Sequence, residues 1–248
     1  MTSFLMRFKK GNMQKSMIEG NTLKLILNFS IPLLLGNLFQ QFYNVVDAAI
    51  VGQTLGSKAL AAVGASSSVQ FLILGFCMGI CQGFAIMVSQ SFGAKKLDEM
   101  HTYIYAGAVW TAITAFVVSI LVVVFCADIL HILQVNDEIF KDAYAYLVVI
   151  FAGIPFTLLY NYLSAILRAI GDSKTPFFFL AFSAFLNIGL DFFCILVLKW
   201  GCAGAAIATI FAQAVSGILC LLLIAFKVNV LHIPKSSRYV DKLSLIHI

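Results

Sequence analysis

The sequence predicts an all-α polytopic membrane protein with six transmembrane helices. Three observations carry that expectation. The 248 residues are 61% hydrophobic and only 11% charged, whereas a soluble domain runs near a quarter charged residues. Mean hydropathy is +0.98, so there is too little charge to cover a globular surface and most of it must face lipid. Six apolar segments each reach the roughly 20 residues that a helix needs to cross a bilayer core.

In order, those segments are residues 25–51, 59–89, 103–126, 143–167, 176–198 and 202–226. The first is the least apolar. All are long, continuous and free of period-2 alternation, which argues against membrane strands. Residues 1–22 form a basic, polar arm without the apolar region of a cleaved signal peptide. Residues 23–226 form the membrane lobe, and residues 227–248 a basic tail.

The basic residues set the orientation. Thirteen of sixteen lie in the arm (Arg7, Lys9, Lys10, Lys15, Lys24), the second loop (Lys95, Lys96), the fourth loop (Arg168, Lys174) and the tail (Lys227, Lys235, Arg238, Lys242). The opposite loops hold Lys58, Lys141 and Lys199. The positive-inside rule then places both termini in the cytoplasm. The net charge of +5 points to anionic lipid headgroups and not to nucleic acid, because the basic residues flank apolar spans. The cysteines (Cys77, Cys81, Cys126, Cys194, Cys202, Cys220) all lie in or beside apolar segments without metal-ligand spacing. They read as small buried hydrophobes.

Two acidic residues fall deep inside spans: Asp47 in the first and Asp191 in the fifth. A charge at the bilayer centre costs about 3 kcal/mol on insertion scales and usually faces a bundle interior, where it carries ions or protons. Asn37, Gln40, Asn44 and Asp47 are spaced by 3, 4 and 3 residues, one face of a helix. Pro32 lies upstream and is expected to act as a hinge. Asn187 and Asp191 share a face at i, i+4, as do Thr209 and Gln213 in the sixth span. A polar stripe can also serve only to lock helices together, and Asp191 could be hydrated near the interface or reach Lys199. An aspartate on the same face as the carboxamides favours the ion site. Carboxylates and amide oxygens suit Na⁺, and loss of hydration favours the protonated acid.

Glycines 75, 79 and 83 recur every four residues in the second span, and Gly204, Ala205, Ala206, Ala208 and Ala212 form a small-residue face in the sixth. Both are expected to admit close helix packing. Ser66, Ser67 and Ser68 either line a cavity or bond back to their own helix. No phosphate-binding Gly-Lys-Ser loop, HExxH or Gly-x-Ser-x-Gly is present, so the expected protein is not an enzyme and needs no cofactor beyond a coupling ion.

Several ordered motifs resemble the opening half of bacterial MATE multidrug exporters. They are Glu19-Gly20-Asn21, Ile31-Pro32, Gln40-Gln41-Phe42-Tyr43-Asn44-Val45-Val46-Asp47, Val51-Gly52 and Leu60-Ala61-Ala62-Val63-Gly64. Further along come Gly79 to Gly83, Ser89-Gln90-Ser91-Phe92-Gly93-Ala94-Lys95, Leu167-Arg168-Ala169-Ile170-Gly171-Asp172 with Thr175-Pro176, and then Asn187 and Asp191. The resemblance implies a twelve-helix, two-lobe fold that rocks about a central cleft and exchanges Na⁺ or H⁺ for organic cations and other amphipathic compounds. It implies cation binding at Asp47, Asn187, Asp191 and Thr209. It also makes Gln40, Asn44, Tyr146 and Asn161 candidates for the cavity lining.

Only the N-terminal lobe of such a fold is expected here, and the closing Leu243-Ser244-Leu245-Ile246-His247-Ile248 resembles no part of the linker, as in a truncated reading frame. The expected partners are membrane lipids, small cationic substrates, and a C-terminal lobe or second copy, in a bacterial cytoplasmic membrane. Two rival readings are a lipid-linked oligosaccharide flippase of the same superfamily and a non-transporting membrane module. The flippase is disfavoured because no Lys or Arg lies deep within a span.

Overall fold

The computed structural model describes residues 21–234 and 237. Of the basic arm, only its last two residues fall within that range, and most of the tail lies outside it.

The first span is one helix, α1 (Thr22–Leu55), which runs unbroken through Pro32. Asn21 starts it: its side-chain oxygen accepts from the Leu23 and Lys24 amides at 3.1 and 3.4 Å, partners that a helix N-terminus otherwise lacks. Gly56, at φ +89°, turns the chain into α2 (Ser57–Gly93). Then follow α3 (Leu97–Val124) and the short α4 (Cys126–Ile132). The fourth predicted span is two helices, α5 (Asp137–Ala152) and α6 (Ile154–Ala169), bent by 48° at Gly153. The fifth is α7 (Lys174–Phe192), continued by a π-helical turn over Phe193–Val197. The sixth is α8 (Gly201–Lys227), followed by a 3₁₀ turn at Asn229–Leu231. Five helices are long and apolar enough to cross a membrane, and the bent pair brings the number to six. No strand occurs among the described residues.

Contacts between distant residues identify the two ends of the lobe. At one end, Lys58 in the first turn of α2 pairs with Glu138 in the first turn of α5 at 2.7 Å. At the other, a ring nitrogen of His101 near the start of α3 lies 2.8 Å from the Val230 carbonyl after α8. This second end carries Lys24, Lys95, Lys96, Arg168, Lys174 and Lys227 and is called the basic end below. The 3₁₀ turn folds back on the lobe there, with Val228 and Leu231 buried.

Helix α6 is the axis of the bundle. Ten of its sixteen residues are buried, and it packs against α2, α3 and α8. Tyr162 pins it to α3 by donating to the Ile104 carbonyl at 2.6 Å, and Tyr160 donates to the Pro176 carbonyl at the start of α7 at 3.0 Å. The sixth-span small-residue face packs as expected: Ala205, Ala206 and Ala208 are fully buried. All six cysteines are free and buried.

The second-span glycines do not behave as expected. A methyl group placed on Gly75 or Gly79 meets nothing within 4 Å. Their face points out of this lobe, so spacing alone misassigned it. Ser66 and Ser67 bond back to the carbonyls of Ala62 and Gly64 at 2.8 and 2.6 Å. Close packing occurs instead at Gly153, where an added methyl group collides with Ile210 of α8. The helix break thus sits directly against α8.

Gly153→Ala is therefore expected to destabilise the chain by about 1–3 kcal/mol, the usual cost of overpacking. Thermal unfolding in detergent measures this, and Ile210→Ala in the same chain is expected to recover most of the loss.

Candidate functional site

Helix α1 contributes Asp47 and α7 contributes Asp191, and the two helices pack along their length. Gly36 lies against Phe177 and Leu180, and the Phe39 and Phe185 rings meet edge to face at 5.8 Å. This packing brings the Asp47 and Asp191 carboxyl groups to within hydrogen-bonding range of each other. Asp191 is 0% exposed and Asn187, one turn below it, 2%. The expectation that Asp191 might be hydrated or reach Lys199 is not met: it is buried, and no ion pair joins the two residues.

Asn187 donates its side-chain amide to the Thr209 hydroxyl of α8 at 3.2 Å. Its own Oδ1 is left unpartnered, as are Asp47 Oδ1, both carboxylate oxygens of Asp191, and Gln213 Oε1. Five buried acceptor oxygens from three helices thus have no donor among the described residues. Two carboxylates side by side are two acceptors, so neither can satisfy the other unless a proton or a cation lies between them. A buried polar group left without a partner costs about 1–3 kcal/mol, and several in one place mark a site built for something else to fill.

Tyrosines frame these oxygens. Tyr146 of α5 is 5% exposed and lies close to both carboxylates and to Gln70 of α2. Tyr43, one turn from Asp47 on α1, lies beside Gln40 and Gln213 and also faces both carboxylates. Just past Asp191 the chain widens into the π-helical turn at Phe193–Val197, a local irregularity frequent at functional sites.

The structure splits the polar stripe of the first span. Gln40 and Asp47 are half-buried and turn into the bundle, whereas Asn37 and Asn44 are exposed. Asn44 donates to Gln41 on its own helix at 3.1 Å. A spacing of 3, 4 and 3 covers an arc wide enough that its two edges face different surroundings. Asn161 donates to the Thr157 carbonyl within α6 at 2.8 Å. Pro32 lies a full fifteen residues from Asp47, inside a continuous helix. Tyr43, Gln70 and Gln213 were not assigned a site role by sequence. The i, i+4 relation of Tyr43 to Asp47 and of Gln213 to Thr209 was the available signal.

Arg168 stands in the last turn of α6 and is half-buried, with Tyr160, Cys220 of α8 and Cys81 of α2 in its electrostatic surroundings.

Together, fold and site define a helical membrane lobe that gathers unpartnered carboxylate and amide oxygens between its helices. The MatE family model matches residues 32–193, and the chain belongs to that family, whose members are transporters and not enzymes. It is 36% identical over 200 residues to a probable multidrug resistance protein of Bacillus subtilis, YpnP, covering 80% of this chain and 44% of that protein. A second such protein from the same organism, YoeA, is 30% identical over 85% of this chain and 46% of its own length. The chain thus spans less than half the length of these relatives. Its fold matches an outward-facing MATE family transporter of the MOP superfamily with a TM-score of 0.86 at 24% identity, over 92% of this chain and 51% of that one.

Replacing one carboxylate removes the conflict in the pocket and supplies a donor. Asp191→Asn is therefore expected to raise stability in sodium-free buffer by about 1–3 kcal/mol, read as a higher Tm of the purified chain.

Proposed function

We propose that this chain is the N-terminal half of a cation-coupled antiporter that exports organic cations and other amphipathic compounds from the bacterial cytoplasm. The coupling ion, Na⁺ or H⁺, binds between Asp47 and Asp191 with Asn187 and Thr209. The five unpartnered oxygens carry this reading. A proton bridging the carboxyl groups serves two of them, whereas Na⁺ can draw on more, so the oxygen count favours the metal ion. Ion binding drives transport only as far as it favours one conformer over another. Neutralising the pair changes how α1 packs against α7, and α1 is the helix with most freedom: only Gly36, Ile50 and Val51 are buried along it.

A second lobe, either a C-terminal half or another copy, completes the substrate cleft. The exposed carboxamides Asn37, Gln41 and Asn44 of α1 and the open glycine face of α2 support this placement, because lipid cannot satisfy such polar groups. Tyr146 and Gln40 line the inner wall. Asn161 and Asn44 are assigned to the cavity on family resemblance. Basic residues at one end of the lobe support a cytoplasmic position for both termini.

Sodium is expected to stabilise the purified chain in a saturable way. At a concentration of about 100 times Kd the gain is about 2.7 kcal/mol. The rise in Tm should disappear in Asp47→Asn and Asp191→Asn and weaken as protons compete at acid pH. In the two-lobed transporter, Asp47→Asn is expected to abolish ion-coupled efflux of a cationic dye. Undiminished efflux in that variant overturns the assignment.

A further inference from the structure

The elbow in the fourth span deprives one carbonyl group of its helical partner. In a continuous helix the Phe151 carbonyl would accept from the amide of residue 155. Residue 155 is a proline, which has no N–H. Phe151 is 0% exposed, so bulk water does not reach it. The donor comes from another helix: the buried Ser119 of α3 gives its hydroxyl proton to the Phe151 carbonyl at 2.7 Å. Other hydroxyls of the lobe behave differently. Ser66 and Ser67 of α2 and Thr102 of α3 bond to carbonyls of their own helices, whereas Ser119 joins α3 to the elbow.

The arm beyond the elbow reaches the carboxylate pair. Helix α5 buries Ala143, Tyr146, Leu147, Ile150 and Phe151, a single helix face, and packs along α2 and α8. Tyr146 and Phe151 therefore both turn into the bundle. Two contacts fix the depth. Gly153 lies against Ile210, and the neighbouring Thr209 accepts from Asn187, so the elbow is level with that pair. From this level Asp191 is one turn farther from the basic end, about 6 Å along α7, and Tyr146 is about 10 Å along α5. Tyr146 thus stands within a turn of Asp191 in depth, and it lies close to both carboxylates. A change of about 10° at the elbow moves a point about 10 Å along the arm by about 2 Å.

We propose that Ser119 is a positioning residue for the cation site: by holding the Phe151 carbonyl it fixes the α5 arm, and with it Tyr146, against Asp47 and Asp191. This rests on the reading that the two aspartates hold the coupling cation. Ile210 presses on the elbow from α8, and the Ser119 hydroxyl ties it to α3. Without that tie the buried carbonyl seeks another donor, the angle of the elbow relaxes, and the Tyr146 wall of the site shifts.

The test measures ²²Na⁺ binding to the purified chain in detergent, Tm in sodium-free buffer, and proton uptake by an unbuffered sample. Ser119→Ala is expected to raise the Kd for sodium about tenfold, equivalent to about 1.4 kcal/mol. Ser119→Thr, which keeps the hydroxyl, is expected to retain wild-type affinity. Ser119→Cys, a weaker donor of similar shape, is expected to fall between them. Proton uptake should follow the same order. In a Tyr146→Phe background Ser119→Ala is expected to weaken binding little further, because the hydroxyl it positions is already gone. In a Pro155→Ala background it should also matter little, because the helix then has its own donor for Phe151.

Wild-type affinity in Ser119→Ala, with only Tm lowered, makes the bond merely structural and overturns the proposal. So does an equal loss in Ser119→Thr, or a loss that adds in full to that of Tyr146→Phe. If Ser119→Ala does not fold, Ser119→Cys decides by the same criterion: unchanged affinity with a lowered Tm overturns the role. Absence of both sodium and proton binding in the wild type defeats the underlying site, whereas wild-type binding that the Ser119 variants leave unchanged defeats the role of Ser119 alone.

Discussion

Two carboxyl groups held next to each other inside a helical bundle are the constraint around which this lobe is organised. Asp191 is entirely buried and Asp47 half-buried, and a lone ionised carboxylate in such a place is strongly disfavoured. The surrounding helices do not relieve the conflict. They add more acceptors, Asn187 Oδ1 and Gln213 Oε1, and the Asn187 amide is turned to the Thr209 hydroxyl. Several buried acceptors gathered in this way carry an energetic cost that a donor or a cation would relieve.

The rest of the fold divides into parts that hold the site and a part that responds. Helix α6 is largely buried and packs closely against α8, with Tyr160 and Tyr162 fastening α6 to α7 and α3 through backbone carbonyls. These bonds anchor the wall against which Asp191 is placed. Helix α1 brings the second carboxylate but buries little of itself, so its attachment to the lobe depends heavily on what happens between Asp47 and Asp191.

Much of this was legible in the sequence. Length and apolar composition of the segments fixed the number of spans, since a bilayer leaves few alternatives. Asp47 and Asp191 stood out because carboxylates are costly at that depth. Other features escaped for physical reasons. The bend at Gly153 depends on a neighbour from another helix, Ile210, which local sequence does not announce. Gly75 and Gly79 have the spacing of a packing seam, but spacing says nothing about whether a partner lies opposite. Tyr43 was hidden among many aromatic residues until the packing turned it toward the carboxylates with Gln213 of α8 beside it.

The missing side chain at Gly153 has a mechanical consequence. Because Ile210 occupies the space a methyl group would take, the elbow between α5 and α6 cannot be straightened or rotated without pushing α8. These three segments must therefore travel as one solid body during any rearrangement. Motion that reaches the elbow is passed on and not absorbed, so a small displacement on the α5 side, where Tyr146 looks onto the carboxylate pair, reappears on the α8 side at Thr209, one residue from the point of contact.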